Sequence, residues 1–287
     1  MIIVNFKGGL GNQLFQYAFG RGLSKYYKTG LIIDKSVYDK NNRREFLLEK
    51  LNIRFEGYYK NVKNEILKKL IIKIKKINFV SKTKIFEEKF YHFDKSIYKL
   101  NKKSYHYYFD GYWQSYKYFK NVADQLKKEL SFSKFISSKS RKVKLIKKLK
   151  KKNTIGIHVR GGDYRKEPFF SFNGLVDANY YNNSVNEMKK KFKIGNIFIF
   201  TDDIDYLNII STKFNFNFQL VSNCFSNSAL EDFALFYLIK NKIISNSTFA
   251  WWCAFLSKNL NVIYPRKWFK IQYNNIKDLC PNSWKKI

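Results

Sequence analysis

From Thr154 onward the sequence alternates short apolar runs with helical patterns, and that rhythm constrains the fold more than any other feature. Strands are expected over 154–159, 196–201, 216–221, 242–245 and 261–264, with helices over 179–191, 204–212, 229–239 and 248–257. Strands separated by helices pair in parallel, and the helices cover both faces of the sheet. The start of the chain has the same character. An apolar strand at 2–6 runs into Lys7-Gly8-Gly9-Leu10-Gly11-Asn12-Gln13. A helix over 12–27 follows, with Leu14, Phe15, Ala18, Phe19 and Leu23 on one stripe, and then a strand at 31–34. Another strand is expected over 105–112 and a helix over 116–130.

Between the halves the character changes. Ser133, Ser137, Ser138 and Ser140 give way to a lysine run at 147–152 broken only by Leu149, which reads as a linker or an exposed basic helix. The boundary is placed there, giving an N-terminal α/β domain at 1–140 with a helical insertion and a C-terminal domain at 153–287. Two such units imply facing domains with a cleft. In the insertion, Ile66, Leu67, Leu70, Ile71, Ile74 and Ile77 recur at helical spacing opposite Lys68, Lys69, Lys73, Lys75 and Lys76. Such a helix either lies on its own domain with a solvated face or meets anionic lipid.

Polar residues gather where the strands of the second half end. After the first come His158, Arg160, Gly161, Gly162 and Asp163; after the second, Thr201, Asp202 and Asp203; after the fourth, Ser245, Asn246, Ser247 and Thr248, opening the helix that continues with Phe249. Ligands of open α/β sheets sit at strand ends. The Arg160 fork suits a phosphate or carboxylate, although an Arg–Asp pair would equally hold the loop shut. Hydroxyls and free N–H groups at a helix start cradle phosphate, or simply cap the helix. Asp202 is placed to accept from a ribose hydroxyl or a base. Asp203-Ile204-Asp205 is formally a DxD, but carboxylates in a first helical turn are expected for dipole reasons, and the reading is against a metal.

The net charge of +33 admits nucleic acid, an anionic membrane or an anionic small substrate as partner. The joint enrichment of Lys, Asn, Ile, Phe and Tyr makes compositional drift a fourth explanation. Cys224, Cys253 and Cys280 show no CxxC spacing, so neither a disulfide framework nor a zinc site is indicated. The sequence opens without a basic n-region or a long apolar run, and no apolar stretch reaches membrane-spanning length.

Five segments carry a resemblance. Gly8-Gly9-Leu10-Gly11-Asn12-Gln13-Leu14-Phe15-Gln16-Tyr17-Ala18 resembles the N-terminal signature of glycosyltransferase family 11, the α-1,2-fucosyltransferases. Asp110-Gly111-Tyr112-Trp113-Gln114-Ser115 through Tyr118-Phe119 is similar to a second segment of that family, and His158-Val159-Arg160-Gly161-Gly162-Asp163-Tyr164 to the HxRxxDY motif shared across fucosyltransferases. Phe200-Thr201-Asp202-Asp203 and Asn246-Ser247-Thr248-Phe249-Ala250-Trp251-Trp252 resemble the remaining two; Thr248 and Ala250 stand where Ser is common, a departure that keeps the hydroxyl at 248. The resemblance implies an α/β, GT-B-like fold of two facing Rossmann-like domains with parallel sheets, the N-terminal domain (1–140) on the acceptor side and the C-terminal domain (153–287) binding the GDP-sugar. It implies GDP-fucose as donor, a galactose-containing glycan as acceptor, inversion at the anomeric carbon, no cofactor and no required metal.

Donor binding then falls to Gly9, Gly11, Asn12, His158, Arg160, Asp202, Ser245, Asn246, Ser247, Thr248 and Phe249, with Gly11 and Asn12 closing over the diphosphate from the facing domain. Arg160 and Asp163 are the catalytic candidates; Asp163 either takes the acceptor proton or orients Arg160. The expected setting is cytoplasmic, with peripheral contact at the inner face of an anionic membrane and a place in surface polysaccharide synthesis. A related transferase using another nucleotide sugar is the first alternative. A basic nucleic-acid-binding protein is the second, and it explains the charge but not the ordered strand-end residues.

Overall fold

The computed structural model describes residues 1–40, 44–59, 83–89, 91–101, 106–136, 140–271 and 276–287. The basic helix expected over 66–77 lies outside the described residues. The chain forms two compact units, Met1–Glu129 with Asn275–Leu279 and Leu130–Asn274 with Cys280–Ile287.

The N-terminal unit is built on a parallel sheet of β1 (Ile2–Asn5), β2 (Leu31–Asp34), β3 (Gly57–Tyr58), β4 (Thr83–Glu87) and β5 (His106–Asp110), in the order β3-β2-β1-β5-β4. β1 is central and buried throughout, which is why Ile2, Ile3 and Val4 read as an unbroken apolar run. Gly8, at φ +84°, turns the chain out of β1, and helix α1 (Leu10–Tyr27) starts at once. Phe15 and Phe19 are fully buried, and so are Gln13 and Gln16. Phe19 stacks on Trp113 with ring centres 4.3 Å apart, and Phe109 and Tyr118 meet it edge-on. A short helix α2 (Ser36–Lys40) follows β2.

The helix expected over 116–130 is a 3₁₀ segment, Tyr116–Val122, bent at Phe119, followed by α3 (Ala123–Glu129). The Tyr98 hydroxyl donates to the Tyr118 carbonyl, which withdraws that group from the helical ladder. β4 is a strand the sequence reading lacks. Its residues are exposed or half-buried, with Ile85 67% exposed, so no burial alternation marks it.

The C-terminal unit carries β6 (Thr154–Val159), β7 (Asn196–Thr201), β8 (Gln219–Leu220), β9 (Asn241–Ile243), β10 (Asn261–Tyr264) and β11 (Lys285–Lys286), all parallel, in the order β11-β10-β9-β6-β7-β8. Its helices are α4 (Ser140–Leu149), α5 (Phe169–Asn173), α6 (Ala178–Lys189), α7 (Ile204–Ser211), α8 (Ala229–Tyr237) and α9 (Thr248–Leu256). Ile155, Ile157 and Val159 of β6 pack with Tyr181, Val185 and Met188 of α6 and Leu207 of α7 in one core cluster. The strand expected over 216–221 shrinks to Gln219–Leu220, and Phe214, Phe216 and Phe218 before and beside it pack against one another and against the core cluster. The basic stretch before β6 is helical: Leu145 and Leu149 of α4 are buried, while Lys144, Lys147 and Lys148 face solvent.

Candidate active site

Three strands of the C-terminal unit end side by side. β6 pairs with β7 up to Val159↔Thr201 and with β9 up to Ile157↔Ile243. Arg160, Asp202 and Ser245 are therefore delivered to one edge of the sheet by strand register. The strand order also reverses here, since β7 and β8 lie on one side of β6 and β9 to β11 on the other. Crevices outside the carboxyl ends of strands at such a reversal are where open α/β sheets bind ligands.

Arg160 is the hub. One terminal nitrogen donates to Asp202 and the other to Asp163, and its guanidinium lies 4.6 Å from the centre of the Tyr164 ring. Burial by itself would lower its pKa, but Asp202 and Asp163 outweigh burial and raise it, so the cation is permanent. Its Nε is buried and has no partner. The loop that follows is held by the same acids: Gly161 N–H donates to Asp202 at 3.1 Å and Gly162 N–H to Asp203 at 2.9 Å. Gly162 sits at φ +48°, and a Cβ on Gly161 would come within 2.6 Å of the Asp203 side chain. Glycine is thus required at both positions for the loop to lie on Asp202 and Asp203.

Asp203 accepts from Tyr206 N–H at 2.9 Å as the N-cap of α7 and pairs with Arg165 at 3.2 Å. Those bonds hold its pKa below the ordinary carboxylate value, although burial acts the other way. Arg165 closes the same stretch in the sequence without a role of its own there; its signal is a second cation two residues after Asp163. Among the described residues, no group of three or more His, Cys, Asp or Glu side chains could hold a metal ion.

His158 is buried, with Nδ1 2.8 Å from Ser245 Oγ and its ring 5.5 Å from that of Phe249. Burial, with help from Arg160, pushes its pKa down to about 3. A pKa that low favours the neutral imidazole, and its contact with Ser245 holds the hydroxyl in place. Ser247 is the N-cap of α9, yet its side chain makes no capping bond, so ordinary capping does not explain that serine. Asn246 is buried and donates to the carbonyls of Asn173 and Trp268 at 3.0 and 3.1 Å, tying the end of α5 to the 268 segment; its Oδ1 has no partner. Thr248 and Phe249 open α9 and are half-buried.

Gly9, Gly11 and Asn12 belong to the N-terminal unit, at the start of α1. Gly9 stands at the N-cap, and Asn12 accepts from the Gln114 side chain at 3.1 Å. The two glutamines of the same segment are structural. Gln13 clasps Gly8, Glu45 and Leu47, and Gln16 bridges Lys7 N–H and the Gly111 carbonyl.

Residues 1–285 match the family described as glycosyl transferase family 11. An Escherichia coli protein named alpha-1,2-colitosyltransferase is 30% identical over 298 residues, covering 100% of this chain and 99% of its own. The Escherichia coli O-antigen biosynthesis glycosyltransferase WbnK is 29% identical over 303 residues, covering 96% and 97%. Among solved structures, a variant of Arabidopsis thaliana FUT1 in complex with GDP matches with a TM-score of 0.54 at 12% identity, over 98% of this chain and 72% of that one. At that identity the likeness concerns the fold, which is GT-B-like.

Proposed function

The chain belongs to glycosyl transferase family 11, and from that premise we propose that it transfers L-fucose from GDP-β-L-fucose to the 2-hydroxyl of a galactose in a glycan, inverting the anomeric carbon. The observation that carries the reading is the delivery of Arg160, Asp202 and the start of α9 to one strand reversal. In the reaction, the acceptor oxygen bonds to C1 of fucose as the bond from C1 to the β-phosphate oxygen breaks. The electron pair stays on the phosphate, and the hydroxyl proton passes to a carboxylate or to water.

Negative charge grows on GDP, so a fixed cation and aligned N–H groups lower the barrier. Arg160 meets the β-phosphate by trading Asp202 for a phosphate oxygen while Asp163 keeps the other arm of the fork in place. Asp202, released, accepts from the nucleoside. The N–H groups at the start of α9 point toward further phosphate oxygens. Asp203 is already committed to Tyr206, Gly162 and Arg165, and the cationic work falls to Arg160 without a metal. The relative named as an O-antigen biosynthesis glycosyltransferase supports a role in that synthesis.

A second donor is favoured by one finding, the full-length relative named for α-1,2-colitosyl transfer. The test is to incubate the protein separately with GDP-fucose, GDP-colitose, GDP-mannose and UDP-galactose, following nucleotide release with and without a β-galactoside. GDP-fucose turnover stimulated by the galactoside is the expected result. Turnover of GDP-colitose alone replaces the transferred group, and turnover of UDP-galactose alone overturns the reading.

A further inference from the structure

The N-terminal sheet has its own strand reversal, between β1 and β5, because β2 and β3 lie on one side of β1 and β5 and β4 on the other. Register sets Asp34, Asn5, Asp110 and Glu87 on a common rung at the carboxyl ends of β2, β1, β5 and β4. At the reversal itself, Asp110 Oδ1 accepts from Asn5 Nδ2 at 3.1 Å and from Lys7 Nζ at 2.6 Å. Asn5 is buried and its Oδ1 has no partner. Asp110 and Lys7 are each about one third exposed, at 34% and 31% of their side chains. The Lys7 ammonium lies 5.3 Å from the centre of the Tyr112 ring, and that ring stacks on Tyr91 at 6.3 Å.

This edge is braced. Glu88 accepts from the N–H groups of Tyr112 and Trp113 at 2.6 and 3.0 Å. Trp113 is held at φ +55° and fully packed against Phe19, which fixes the loop that carries Tyr112. Asp34 is buried and accepts from Tyr108 and from Ser36 N–H. Cations outnumber acids 55 to 22 in the chain, yet Asp34, Glu87, Glu88 and Asp110 all fall at this end of the sheet. Compositional drift toward lysine does not produce that.

We propose that Lys7 and Asp110 form a carbohydrate-hydroxyl site for the acceptor: Asp110 Oδ2 accepts from one hydroxyl of a neutral pyranose, Lys7 donates to its neighbour, and the Tyr112 ring meets the C–H face. A charge-balanced pair suits an uncharged sugar, whereas an anionic ligand would require surplus cation. An aromatic face beside paired polar groups supplies the apolar contact that the ring carbons of a sugar need. The assignment rests on the transferase reading for its role but not for its binding chemistry.

The experiment uses methyl β-D-galactopyranoside as probe, with saturation-transfer NMR on the full chain and on Asp110→Asn and Lys7→Met. Wild type is expected to show transfer to the sugar, and both variants to lose it. The rise in melting temperature on adding GDP is expected to persist in both, which excludes a folding defect. In turnover with a donor the variants are expected to lose about 10- to 100-fold in kcat/KM for the galactoside, as for a lost charged hydrogen bond. Donor hydrolysis in water is expected to stay near wild type. Equal sugar signals in wild type and both variants overturn the site, as does no signal in wild type. Failure of every GDP-sugar to turn over with wild type overturns the transferase reading instead and leaves the binding result standing.

Discussion

In the C-terminal unit the strand order turns at β6 and β9, and the group placed there is a guanidinium, Arg160, between the carboxylates of Asp163 and Asp202. In the N-terminal unit it turns at β1 and β5, and the group placed there is a carboxylate, Asp110, between an amide and an ammonium. The two arrangements are chemical opposites on the same scaffold. A fork flanked by acids can exchange one of them for a phosphate oxygen. A carboxylate with one oxygen engaged suits a hydroxyl. Topology supplies the position in both units, and in the proposed roles the charge of the central residue is what distinguishes a phosphate from a sugar hydroxyl.

The contrast breaks most visibly at Arg160. Arg160→Lys is expected to lower kcat by about 100-fold or more with little change in melting temperature, since a point charge cannot hold Asp163 and a phosphate together. Turnover near wild type would place the phosphate elsewhere and dissolve the contrast.

A buried titratable group in each unit sharpens it. His158 titrates at about 3 in the fold against an ordinary 6.5, so between those values the unfolded chain binds the proton and the folded chain does not. Its contribution to stability therefore falls as pH drops below 6.5. Burial pushes Glu88 up to about 7 from an ordinary 4.5, so there the folded chain holds the extra proton, and its contribution falls as pH rises from 4.5 to 7. Each slope is at most about 1.4 kcal/mol per pH unit, and between 4.5 and 6.5 the two oppose. Urea midpoints across that window are expected to rise with pH in Glu88→Gln and to fall in His158→Gln, relative to wild type. Parallel curves for all three would show that neither group is held as described.

A smaller effect is expected on α4. Lys144, Lys147 and Lys148 face solvent there, and each can add up to about 1 kcal/mol of attraction to anionic lipid before screening. The chain is expected to sediment with anionic vesicles at low salt, to be released at high salt and to ignore neutral vesicles. Replacing the three lysines by glutamine should lower the bound fraction a few fold. Equal sedimentation with neutral lipid, or none with either, returns the lysines to a solvated surface. The smallest expected effect is on turnover in excess EDTA, which should not change; a loss restored by magnesium would revive Asp203 and Asp205 as ligands.

The two clusters were unequally legible in the sequence. His158, Arg160 and Asp163 sit within six residues, and Asp202 and Ser245 each follow an apolar strand, so linear reading reaches all of them. Lys7 and Asp110 are 103 residues apart and meet only through the register of β1 with β5. Nothing local to either residue signals the other. Burial decided the remaining misses. β4 and β11 are too exposed to carry a pattern, and the Phe119 bend depends on Tyr98, which periodicity cannot see. Parallel β6, buried throughout, and β7, buried beyond Asn196, were the easiest elements to place, because both carry near-continuous apolar runs.

One further feature bears on how such a protein can be recombined. Asn275–Leu279 belongs to the N-terminal unit although the chain on both sides of it belongs to the other. Asp278 is buried there, where Ser115 donates to its carbonyl at 2.9 Å, Phe93 N–H reaches its carboxylate and Lys117 pairs with it. A hybrid spliced once, near residue 130, would inherit Ser115 and Lys117 from one parent and Asp278 from another. Acceptor preference in this lineage is therefore expected to shift by single replacements at strand tips such as Lys7 and Asp110, because exchanging the unit wholesale takes three junctions that must agree.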